Sequence, residues 1–233
     1  LIFEEEDETF DCYAYRSKSG NYVIINTSAT LTSEYRILSA DEPNGEFKMF
    51  QARERELEYS IANFEDKFYV LTNLDGAKNF KLMVTDVNAT EKENWKEVIA
   101  HRDDVLLEDF EIFRNHLAID ERKDGLSQIR MINNETGDEH YLDFGEETYT
   151  AYLSTNLDFE TEVLRYGYTS LTKPSSVYDY NMNTKERELL KQQEVLGGFN
   201  SDDYHAERHY ATAIDGTKVP ISLVYKKGLK KDG

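Results

Sequence analysis

The 233-residue sequence predicts an all-β fold: a partial β-propeller of about four four-stranded blades, followed by the first β-hairpin of a second domain. Three observations predict it. A two-strand unit recurs every 46–49 residues, Tyr (16) and Phe (12) far outnumber Pro (3) as befits half-buried pleated strands, and amphipathic helical patterns are scarce.

The clearest copies are the second and third. Phe68-Tyr69-Val70-Leu71, Asp75-Gly76 and Phe80-Lys81-Leu82-Met83 are matched, step for step and 49 residues later, by Leu117-Ala118-Ile119-Asp120, Asp124-Gly125 and Ile129-Arg130-Met131-Ile132. Each copy reads as a hairpin whose Asp-Gly supplies residues that tolerate positive φ. A looser copy upstream runs from Tyr22-Val23-Ile24-Ile25 through the Thr/Ser-rich stretch 27–33 into Tyr35-Arg36-Ile37-Leu38. Another downstream runs from Val163-Leu164-Arg165-Tyr166 through 169–174 into Val177-Tyr178-Asp179-Tyr180. Flanking strands are expected at 57–61 and 95–99 around the second hairpin, and at 105–113 and 140–144 around the third. Segment 185–194 reads equally well as a helix or as the outer strand of the fourth blade.

After Leu196-Gly197-Gly198 the pattern changes. Residues 207–213 and 217–225 read as two strands joined at Asp215-Gly216, with Val219, Ile221, Leu223 and Tyr225 alternating. The expected organisation is propeller blades over 1–196, a linker over 197–206 and the truncated start of another domain over 207–233. The sequence closes on Lys231-Asp232-Gly233, a turn-like ending.

The formal charge of −19 repels phosphate backbones and argues against nucleic acid as a partner. It suits a cationic partner or substrate, or serves solubility alone. No apolar run approaches the ~20 residues of a membrane span, so no membrane is expected. Cys12 is the single cysteine, which rules out an intrachain disulfide and a cysteine-based zinc site. Residues 1–15 lack a signal-peptide pattern, so a cytoplasmic location is expected, or a periplasmic one if a leader lies upstream of Leu1.

No candidate chemistry survives inspection. The chain has no Gly-x-Ser-x-Gly elbow to project a nucleophilic serine. His101, His116, His140, His205 and His209 read as surface or edge residues; His205 and His209 are four apart, but their surroundings suggest a strand or linker, with no third ligand. The run Glu4-Glu5-Glu6-Asp7-Glu8 lacks the spacing of a calcium loop and reads as a solvated loop or blade edge. Segment 41–46 reads as a turn, and Arg53-Glu54-Arg55-Glu56 as an exposed salt-bridged stretch. Tyr149, Tyr152, Tyr166, Tyr168, Tyr178 and Tyr180 are expected to pack between blades. Catalytic, cofactor-binding and metal-binding residues are therefore none, substrate-binding residues are unassigned, and no cofactor is expected.

The stretches 4–10, 28–35, 51–59, 75–80, 92–102, Tyr149-Thr150-Ala151-Tyr152, 164–182 and 191–198 resemble the propeller of the prolyl oligopeptidase family of serine peptidases, in its Arg/Lys-specific branch. Val219-Pro220-Ile221-Ser222-Leu223-Val224-Tyr225 resembles the first hairpin of that family's peptidase domain. The resemblance implies a seven-bladed propeller capping an α/β-hydrolase domain and admitting only short peptides, basic ones in this branch. It also implies about three blades before Leu1 and a Ser-His-Asp triad after Gly233, so no catalytic or specificity residue falls on this chain. The partners it implies are short basic peptides and the chain's own peptidase domain. The fragment alone is then expected to be inactive and, with its terminal blade faces bare, to self-associate. The rival reading is a free-standing propeller that binds proteins or peptides.

Overall fold

Runs in which apolar residues alternate give strands with one or both faces buried, and short polar turns join them into antiparallel meanders. The computed structural model describes residues 1–230; the expected turn at 231–233 lies outside the described residues. The first sheet is β1 (Asp11–Arg16), β2 (Tyr22–Ala29), β3 (Thr32–Ser39) and β4 (Lys48–Gln51), and the second is β5 (Tyr59–Phe64), β6 (Lys67–Thr72), β7 (Lys81–Asp86) and β8 (Lys96–Ile99). The third is β9 (Val105–Ile112), β10 (His116–Lys123), β11 (Leu126–Asn133) and β12 (Glu139–Tyr141), and the fourth is β13 (Tyr149–Leu153), β14 (Val163–Ser170), β15 (Ser176–Asn181) and β16 (Arg187–Gln192). In each sheet spatial order follows chain order. A separate hairpin pairs β17 (Tyr204–Thr212) with β18 (Lys218–Lys226). The chain divides into two compact units, residues 1–106 and 107–233.

In the first unit, one sheet packs on the next through aromatic side chains. Phe50 and Phe68 are fully buried and meet edge-to-face at 5.0 Å, while Tyr59 lies against Trp95 at 5.4 Å. Burying each such ring contributes about 1.5–3 kcal/mol. The Tyr59 hydroxyl stitches the two sheets: it accepts from Tyr35 N (3.0 Å) and donates to the main-chain oxygen of Gln51 (2.5 Å). β1 is exposed along its whole length.

The second unit repeats the scheme with different residues. Ile129, Met131, Leu142 and Phe144 of the third blade pack on Ala151, Leu164, Tyr166, Tyr168 and Tyr180 of the fourth. Two polar side chains reach across to the inner strand of the fourth sheet, where Ala151 N donates to Ser127 Oγ (2.8 Å) and Leu153 N to Asp120 Oδ2 (3.4 Å). A single blade could not bury both of its faces, and this stacking supplies the missing partner.

Several local expectations need correction. Asp124-Gly125 forms a two-residue hairpin turn with φ of 52° and 76°, but Asp75-Gly76, at 59° and 77°, sits in a longer loop that returns to the sheet only at Lys81. The longer loop is held by Asn73, whose side chain accepts from Glu58 N and donates to the Glu56 oxygen. Phe80, expected to begin the second strand, instead lies in the loop with φ of 59°. The Thr/Ser-rich stretch 27–33 is mostly strand, since β2 and β3 pair as far as Ala29 and Thr32. Segment 185–194 resolves as the outer strand β16. The hairpin's first strand begins at Tyr204, ahead of the expected 207.

Candidate functional site

The terminal hairpin presents different residues on its two faces, because Cβ directions alternate along a strand. On one face Arg208 donates from its main-chain N to Glu147 Oε2 (3.1 Å) and from Nη2 to the main-chain oxygen of Asp124. Pro220 lies on the same side, 3.4 Å from where a Cβ on Gly125 would stand. The turn between β10 and β11 and the loop entering β13 thus form a seat for the hairpin. On the other face Glu207 stands between His205 and His209, with His209 Nε2 3.1 Å from its carboxylate. The two histidines therefore lie on a strand with an acid between them, and no cluster of metal-ligating geometry occurs among the described residues.

A second group of charges lies on the first two strands of the third sheet. Buried positions along β9 alternate through Leu107 and again from Phe110, and the intervening Glu108 and Asp109 are both exposed. That slip of one residue turns two consecutive acids outward. Asp120, on β10, is 7% exposed, and its Oδ1 has no hydrogen-bond partner. Burial, opposed by the hydrogen bond from Leu153 N and by Arg122 and reinforced by Glu108 and Asp109, pushes its pKa up to about 7. Farther along the sheet the fully buried Glu121 meets Arg130 at 2.7 Å, and Tyr141 Oη donates to it at 2.8 Å.

The other residues singled out in the sequence fall as follows. His116 is buried rather than at the surface, and burial lowers its pKa. His140 is half-buried, its Nε2 2.7 Å from Tyr180 Oη. His101 is half-buried near Asp103. The acidic run is a loop as expected, but Glu5 is tied down: Arg53 binds Glu5 and Glu34 together, and its guanidinium lies 4.0 Å over the Phe10 ring. Arg53 is thus half-buried, whereas Arg55 and Glu56 remain exposed. Segment 41–46 is a turn closed by Gly45 N on the Glu42 oxygen. Five of the six tyrosines pack toward the third blade; Tyr152 lies on the opposite face, its ring over Gly167. Sequence reading missed the Arg53 clamp and the Arg208 seat, whose partners lie 48 and 84 residues away and leave no local signature.

Comparison with known proteins agrees with this architecture. The family described as prolyl oligopeptidase, N-terminal beta-propeller domain, matches residues 1–193. The whole chain aligns with Dipeptidyl aminopeptidase BI of Pseudoxanthomonas mexicana at 39% identity and with Protease 2 of Moraxella lacunata at 30%, covering 32% and 33% of those proteins. The structure of oligopeptidase B from Leishmania major superposes with a TM-score of 0.89 at 27% identity, over 99% of this chain and 34% of that one. The chain thus spans about a third of the length of the relatives it matches. With four antiparallel four-stranded sheets and a family match over most of its length, the chain belongs to the prolyl oligopeptidase N-terminal β-propeller domain family.

Proposed function

We propose that this chain is the gating propeller portion of a serine oligopeptidase that cleaves short peptides after Arg or Lys, with the catalytic triad outside these 233 residues. The observation that supports the reading best is the family match over 1–193 followed by a hairpin seated on the propeller through Arg208. A propeller joined in this way covers a neighbouring domain and limits access by size. The formal charge of −19 raises the local concentration of cationic peptides. No acyl transfer is assigned to the chain itself, since that chemistry needs a nucleophile, a base and an oxyanion hole in one place.

A second reading, removal of dipeptides from free amino termini, is favoured by the name of the 39% identical relative. One assay separates the two. The intact protein is given amino-terminally blocked peptides with an internal Arg or Lys, and dipeptide reporters with a free amino terminus, each with and without a serine-directed inhibitor. Inhibitor-sensitive cleavage of the blocked peptides supports the first reading. Turnover confined to the free dipeptide reporters supports the second, and no inhibitor-sensitive turnover of either contradicts both.

A further inference from the structure

A chain with a formal charge of −19 holds a cationic cavity at the outer edge of its fourth sheet. About 240 Å³ in volume, it is walled by His140 and Leu142 from the third blade and by Tyr166, Tyr180, Lys185 and Arg187 from the fourth. A second cavity of about 280 Å³ shares Tyr166 and Arg187 with it and adds Tyr178 and Lys173. The acid bordering the first cavity is Asp143, whose carboxylate accepts from Gly145 N (2.9 Å) while its main-chain oxygen accepts from Arg187 Nη2 (2.7 Å). Lys173 is neutralised by Glu146 at 3.1 Å. Among the described residues, no carboxylate pairs with Lys185 or Arg187.

Lys185 occupies a position that favours glycine. The turns after β11 and β15 are built alike. Asn133 Oδ1 accepts from Glu135 N and Thr136 N, and Asn181 Oδ1 accepts from Asn183 N and Thr184 N. In each turn the next residue donates its N–H back to the asparagine's main-chain oxygen. In the first turn that residue is Gly137, with φ of 73°; in the second it is Lys185, with φ of 64°. The left-handed conformation is strained for a side-chain-bearing residue, and here it coincides with an ammonium lining the cavity. The local field agrees: the His140 pKa is lowered first by burial, then by Lys185 and His116.

We propose that this cavity is an anion site that takes a phosphate-class oxyanion through Arg187 and Lys185, beside the His140–Tyr180 pair. Guanidinium supplies planar paired donors and ammonium a point charge, the combination suited to tetrahedral oxyanions. Tyr166 and Tyr180 line the same cavity and offer an aromatic wall to an ester group. The test titrates inorganic phosphate, and separately phenyl phosphate, into the intact protein at constant ionic strength, read by calorimetry and by the His140 ring resonances. Saturable binding that raises the His140 titration midpoint is expected. Tighter binding of phenyl phosphate would identify a phosphomonoester ligand, and equal or weaker binding would identify the free ion. Lys185→Gly should hold or raise the melting temperature while weakening binding at least about tenfold, and Arg187→Gln should weaken it similarly. Absence of saturation with both probes, or affinity unchanged in both variants, would overturn the proposal.

Discussion

Arg208, on the terminal hairpin, donates to the main-chain oxygen of Asp124 at the tip of the β10–β11 turn, 84 residues earlier in the chain. This bond and that of Arg208 N to Glu147 are two polar contacts of the hairpin's seat. A hydrogen bond from a charged donor is worth about 1.5–3 kcal/mol. Arg208→Ala should therefore lower amide exchange protection across 204–226 by at least about tenfold, leaving β10 and β11 protected. Gly125→Ala should act on the same seat, since its φ of 76° disfavours a side chain, while the new Cβ would stand at ordinary contact distance from Pro220.

Asp120 gives a pH signature. An unfolded aspartate titrates near ~3.9, whereas this one is raised to about 7, first by burial. The folded state binds the proton more tightly, so the contribution of Asp120 to stability is fully present below about pH 4 and is lost as pH rises to about 7. Carboxylates such as Glu160, held low by its hydrogen bond to Arg114, titrate in the opposite sense, so only a difference between variants is diagnostic. Each unit is worth about 1.4 kcal/mol, and the unfolding free energy of Asp120→Asn minus that of wild type should rise by up to about 4 kcal/mol between pH 4 and 7.5. Parallel pH profiles in urea unfolding would show that Asp120 titrates in the folded protein where it does in the unfolded chain.

Tyr59→Phe removes one hydroxyl that serves both the first and the second sheet. It strands Tyr35 N, in a buried setting, and the Gln51 oxygen. A buried unsatisfied group costs about 1–3 kcal/mol, so the variant should lose that much in denaturant unfolding with an unchanged m-value. A loss below about 0.5 kcal/mol would mean that water replaces the hydroxyl.

Isolated as residues 1–233, the chain should self-associate or melt at low temperature. Tyr13 and Tyr15 on β1 are exposed, and so are Tyr152, Leu189 and Leu190 on the fourth sheet. Several hundred Å² of bare apolar surface costs several kcal/mol at about 25 cal/mol per Å², comparable with a domain's whole stability. Light scattering combined with thermal melting checks this: a monomer melting cooperatively above about 60 °C would contradict it.

Local information made the blades legible and left the contacts between distant residues hidden. The hairpins at 68–83 and 117–132 announce themselves because their apolar alternation is local, but the same Asp-Gly pair closes a two-residue turn in one and lies in a longer loop in the other. What differs is Asn73, bonded to residues 15 and 17 positions away. Arg187–Gln192 reads ambiguously because Arg, Glu, Leu, Lys and Gln are helix formers; pairing with β15 decides the matter, a tertiary effect that overrides propensity. The buried place of His116 and the raised pKa of Asp120 both depend on packing that no spacing rule reports. The left-handed Lys185 was within reach of the sequence: Asn133-Asn134-Glu135-Thr136-Gly137-Asp138 and Asn181-Met182-Asn183-Thr184-Lys185-Glu186 align at an offset of 48, with lysine in glycine's place.

A propeller that gates a peptidase and carries none of its catalytic groups is inactive by itself. Incubating the purified chain and the intact protein, at equal concentration, with fluorogenic Arg and Lys peptides tests it most directly. Turnover that a serine-directed inhibitor abolishes is expected from the intact protein, and none from residues 1–233. Inhibitor-sensitive turnover by residues 1–233 alone would contradict it.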